Sequence, residues 1–146
     1  MKPAEVRALS FATADDSEEI ARAELYGLLA RLWIGPPDDE LLTQFRVAVT
    51  EAPQPGGYLE APWQALVAAM RATDAAAAAD EYDALFGGVG KPEVLLYASF
   101  YLTGFLNEKP LADLRTDLST LGLARDERRG ETEDHVAYLL EVMSPP

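Results

Sequence analysis

The residues best suited to chemistry are gathered in one short stretch, Glu131-Thr132-Glu133-Asp134-His135. His135 is the only histidine and there is no cysteine. Thiolate zinc sites, iron–sulfur ligation, disulfides and cysteine nucleophiles are therefore excluded, as is any site needing two imidazoles. A small metal-dependent or acid/base enzyme could be drawn from His135 with Glu131 or Asp134. Successive residues of a helix do not converge on one point, however, which weighs against metal ligation. The simpler reading is a helix start: Thr132 as N-cap, acids in the first turn favoured by the macrodipole, and a surface histidine. Gly87-Gly88-Val89-Gly90 lacks the strand and the Lys-Ser/Thr of a phosphate loop, and Ser99 has no nucleophile-elbow context.

A second group is Tyr82, Leu85 and Phe86, at i, i+3 and i+4. That spacing makes one helical face. It reads either as core packing or as aromatic anchors for an apolar peptide.

The elements carrying these residues are helices. The chain has 24 Ala and 21 Leu against 8 Val and 2 Ile, and no Asn-Gly or Asp-Gly hairpin turn between alternating runs. The expected fold class is all-α, a helical bundle of about seven helices. Helix one is expected from Ser17 to Trp33, capped by Asp16 with Glu19 completing a capping box. Pro37 suits the first turn of helix two, which carries Leu41, Leu42, Phe45 and Val49. Pro62 opens helix three with Trp63, Leu66, Val67 and Met70 inward. Asp74 caps helix four, which runs through the alanines to Phe86 and closes at Gly87-Gly88. Helix five is expected from Val94 to Leu106, apolar on almost every side and so central in the bundle or lining a groove. Helix six follows Pro110 and stops at Gly122, and helix seven starts near Thr132 with Val136, Leu139, Leu140 and Met143 on one face.

At 146 residues the chain is expected to form a single domain, residues 1–146, with 1–15 a flexible N-terminus and 124–131 a hinge loop before the last helix. With 12 Lys+Arg against 25 Asp+Glu the net charge is −13. That charge argues strongly against nucleic acid or anionic membrane as the main partner. No run approaches the ~18 apolar residues of a membrane span. The N-terminus has no apolar h-region, and Arg128-Arg129 is internal, so the expected location is cytoplasmic.

Tyr82-x-x-Leu85-Phe86, Gly90-Lys91-Pro92, Tyr97-Ala98-Ser99-x-Tyr101, Leu121-Gly122-Leu123 and Glu131-x-x-Asp134-His135 occur in that order. The ordered set resembles the TorD/DmsD family of redox-enzyme maturation chaperones, from about Glu19 to Met143. The resemblance implies a cytoplasmic, all-helical, non-enzymatic chaperone that binds a twin-arginine signal peptide. It further implies a partner in the catalytic subunit of a molybdenum- or tungsten-cofactor oxidoreductase, with no cofactor of the chaperone's own. It places the peptide-binding positions on Tyr82, Leu85, Phe86, Ser99, Glu131, Asp134 and His135, with Tyr26 on the first helix. Lys91-Pro92-Glu93-Val94 and Phe105 to Leu111 look like the branch linked to formate dehydrogenases. Family members carry further helices after the Asp-His helix. Here Pro146 follows, so the expectation is an uncovered helix-seven face and a homodimer formed by exchanging that helix. A generic helical adaptor is the blander alternative.

Overall fold

A computed structural model describes residues 14–48 and 56–144. They form seven helices: α1 (Ala14–Ile34), α2 (Asp39–Val47), α3 (Glu60–Ala72), α4 (Ala75–Phe86), α5 (Ala98–Thr103), α6 (Lys109–Thr120) and α7 (Val136–Val142). The only β feature among the described residues is one isolated antiparallel bridge, Tyr97 to His135.

The α1–α4 half holds the main core. Leu41, Leu42 and Phe45 of α2 and Val67 and Met70 of α3 are buried together, with Leu28 and Leu32 of α1, Trp63, Leu66 and Ala75 packed against them. The spacing read from the sequence therefore selected the right faces; Val49 lies outside the described residues. Several helix ends in this half are satisfied by side chains. Asp74 Oδ1 accepts from the Ala77 amide at 2.9 Å and caps α4. Arg71 Nε donates to the Phe45 carbonyl at 2.7 Å, and Arg46 donates to the Thr73 carbonyl at 2.7 Å, tying the ends of α2 and α3.

Three boundaries differ from the expected ones. α1 already runs from Ala14, which puts Asp16 inside the helix. α2 is capped by Asp38, whose Oδ1 accepts from the Leu41 amide at 2.8 Å, which leaves Pro37 outside the helix. α3 opens two residues before Pro62.

The larger difference is α5. Only Ala98–Thr103 is helical, and residues 94–97 are not helical. Their backbone is taken by distant partners: Val94 N–H donates to the Leu85 carbonyl at 2.9 Å, and Val136 N–H donates to the Leu96 carbonyl at 2.8 Å. An apolar run suits a helix or an extended segment equally, and long-range pairing decides it here. Nor is α5 central. Ser99 is its buried residue, while Tyr101, Leu102 and, just beyond it, Phe105 face solvent.

α6 ends as expected. Gly122 takes φ +74°, its N–H donates to the Ser119 carbonyl at 3.0 Å, and Leu123 N–H donates to the Leu118 carbonyl at 2.9 Å. That double closure is the Schellman pattern. α7 starts at Val136, four residues later than expected, and packs along α1. The packing is close enough that a Cβ on Gly27 would sit 2.8 Å from Ser144 Oγ. Within 124–131, Arg128 pairs with Asp126 at 2.6 Å, and Arg129 reaches Glu141 of α7 at 3.2 Å.

Candidate functional site

Asp134 is 2% exposed and is the hub of the site. Its Oδ2 accepts from the Ser99 amide at 3.0 Å and from Ser99 Oγ, and its Oδ1 accepts from Thr132 Oγ1 at 2.6 Å. Its own carbonyl accepts from the Ala98 amide at 3.0 Å. Burial pushes its pKa up, but the bonds from Ser99 and Thr132 outweigh this and hold the carboxyl below the ordinary value. Asp134 thus fastens the start of α5 to the turn before α7. The exposed first-turn acid expected from the sequence is a buried pin.

His135 is also buried, at 5% exposure. Its Nδ1 accepts from the Ala137 amide at 3.1 Å, so His135, not Thr132, caps α7. Its ring meets Tyr97 edge-on at 5.2 Å and Tyr138 at 5.6 Å. Burial lowers its pKa, against the opposing pull of Glu131 and Asp134.

The other acids of this stretch divide by partner. Glu133 is held by Arg115 at 2.9 Å and Arg125 at 3.8 Å, and the Arg115 bond, with burial opposing, lowers its pKa. Glu131 accepts from the Tyr97 hydroxyl. Its charge is also felt by His135 and by Tyr82, whose pKa is raised by burial first and then by Glu131 and Asp83.

Tyr82 and Phe86 do share a face. Their rings lie 4.9 Å apart, Phe86 meets Trp33 of α1 at 5.5 Å, and Tyr82 OH donates to the Trp33 carbonyl at 2.9 Å. Leu85 contributes its carbonyl to Val94. Trp33, absent from the sequence-based candidates, joins this cluster to an almost wholly apolar groove of about 290 Å³. The groove runs between residues 94–98 and α7, lined by Leu95, Leu96, Tyr97, Val136 and Leu139, and also by Tyr101 and Asp134. Tyr26 stands apart from the groove, seven residues before Trp33 and so about 10 Å along α1 on the same face. Nothing in the sequence marked Trp33 as the link, because its contacts come from α4, some fifty residues on.

The metal-enzyme alternative loses its parts to these bonds. Asp134 is committed to Ser99 and Thr132, and His135 Nδ1 to Ala137. Among the described residues no group of three or more His, Cys, Asp or Glu could hold a metal.

The family model of the nitrate reductase delta subunit matches residues 55–145, which include Tyr82, the groove wall, Asp134 and His135. The chain belongs to this family. Within it, the chaperone protein TorD of Aliivibrio fischeri (strain ATCC 700601 / ES114) is 32% identical over 134 residues, 84% of this chain and 62% of the relative. The chain thus spans 62% of the length of that curated relative. A crystal structure of a redox enzyme maturation protein from Archaeoglobus fulgidus matches with a TM-score of 0.62 at 18% identity, over 94% of this chain and 75% of that one. At that identity the likeness shows the fold alone, and the fold it shows is the helical one described above. The ordered motifs in the sequence point to the TorD/DmsD family, and the TorD relative agrees with that.

Proposed function

We propose that this chain is a non-catalytic maturation chaperone that binds, in the cytoplasm, the twin-arginine signal peptide of a molybdenum- or tungsten-cofactor oxidoreductase. The observation that carries the reading is the join of two surfaces. An almost wholly apolar groove fits the uncharged middle of such a peptide, and its Tyr97 wall leads to Glu131. A carboxylate beside a tyrosine hydroxyl suits a guanidinium through charge and planar hydrogen bonding. Of the acids named for peptide binding, Asp134 is spent on Ser99 and Thr132, so Glu131 is the one for the cationic head. Family membership supports the class of activity, and the name of the TorD relative supports the chaperone role. The formate-dehydrogenase-like segments make a formate dehydrogenase the first client to try.

Calorimetric titration with a synthetic twin-arginine peptide tests the reading, with a peptide of the same apolar middle and a twin-lysine head as comparison. Saturable one-to-one binding that is tighter for arginine is expected. No heat and no displacement at any salt concentration would overturn the proposal.

A further inference from the structure

His135 does more than sit beside the groove; the backbone bridge that joins the groove's two walls is centred on it. The antiparallel bridge at Tyr97 and His135 consists of two hydrogen bonds, Ala98 N–H to Asp134 O at 3.0 Å and Val136 N–H to Leu96 O at 2.8 Å. These bonds hold the 94–98 wall against the α7 wall. The side chain adds the α7 cap through Nδ1, and only the neutral tautomer with its proton on Nε2 can accept there. The groups facing the ring come from each packed segment. Glu131 and Asp134 are on its own turn, Tyr97 is on the 94–97 segment, and Tyr138 is on α7 with the Arg129 guanidinium 5.3 Å from that ring's centroid. Tyr82 of α4 lies near enough to Glu131 to feel its charge.

The geometry points to His135 as a pH-sensitive latch on the groove: neutral, it closes the 94–98 wall on α7, and protonated, it releases them. A proton on Nδ1 would face the Ala137 N–H, donor against donor, and the imidazolium would turn toward Glu131. α7 has seven residues, so loss of its capped first turn removes much of the helix. Val136 and Leu139, which wall the groove, go with it. The buried ring also resists protonation, burial outweighing the two nearby acids. The latch therefore holds at neutral pH and is released as the pH falls below the ordinary histidine range of about 6.5.

Because His135 is the only histidine, ¹⁵N imidazole NMR reads it without ambiguity. The full chain, with no peptide present, is followed from pH 7.5 to 5 together with amide exchange corrected for intrinsic rates. At neutral pH the spectrum should show an unprotonated Nδ1. As the ring titrates, protection at Ala98, Val136 and Ala137 should fall, while Leu42 and Val67 in the α2–α3 core stay constant. The fall approaches about tenfold for each unit by which the folded pKa is depressed. His135→Asn keeps a cap acceptor that does not titrate, and its profile should be flat. A protonated imidazole with all three amides unchanged overturns the latch, as does an Asn variant that follows the wild-type curve. Should that variant fail to fold, the wild-type titration alone decides. With no peptide present, the outcome is independent of the signal-peptide reading.

Discussion

Asp134 and Glu131 lie three residues apart and are expected to respond to substitution in opposite ways. Removing the Asp134 charge strands the Ser99 amide, Ser99 Oγ and Thr132 Oγ1. Hydrogen bonds to a charged group contribute about 1.5–3 kcal/mol each before repacking, so Asp134→Ala should destabilise by at least about 2 kcal/mol in urea titration. The pH dependence has a definite sign. A carboxyl held below its unfolded value near 3.8 adds stability above that pH and loses it as pH falls through the folded value. Asp134→Asn should flatten the acid limb of stability below about pH 4, and an unchanged limb would remove Asp134 from it. Glu131→Gln keeps the Tyr97 contact without the charge. It should leave the urea midpoint within about 0.5 kcal/mol of wild type while removing the preference for arginine over lysine in peptide titration. The two residues could be picked out by type from the sequence, but their roles could not. Asp134 is defined by Ser99, 35 positions earlier, and no local spacing encodes that closure.

At the level of elements, what the sequence shows clearly is what local chemistry decides. Asp74 before an alanine run and Gly122 after Leu121 each act within a few residues, and both helix ends fall where expected. Asp74→Ala should cost about 1 kcal/mol by loss of the α4 cap, read as a lower denaturation midpoint with unchanged slope. The α5 region departs from the expected helix because Val94 to Tyr97 pair with Leu85 and with the turn before α7 instead of with one another. The same long-range pairing moved the α7 start from Thr132 to Val136. Leu42, wholly buried, belongs to the legible class: its position in the α2 stripe marked it as core. Leu42→Ala should cost about 2–5 kcal/mol, and it should do so without altering the groove-wall amides.

For the molecule as a whole, the charge of −13 sets the solution behaviour. Repulsion among 25 acids is screened as the Debye length falls from about 10 Å at 0.1 M salt to about 3 Å at 1 M. Thermal stability should therefore rise with salt while affinity for a cationic peptide falls. Two trends of the same sign would mean that the head group is not held by charge. The pairing of α1 with α7 has a further consequence, for the order of folding. Close to a hundred residues separate the end of α1 from the start of α7, yet the two lie side by side, with Gly27 against Ser144. Closing a loop of that length costs about 4 kcal/mol of chain entropy, whereas α2 meets α3 across a short connection. The α2–α3 core, with Leu28 and Leu32 of α1 packed against it, can therefore form before α7 docks on α1. Since α7 also carries one wall of the groove, the groove is completed only when α7 docks, after the α2–α3 core is in place.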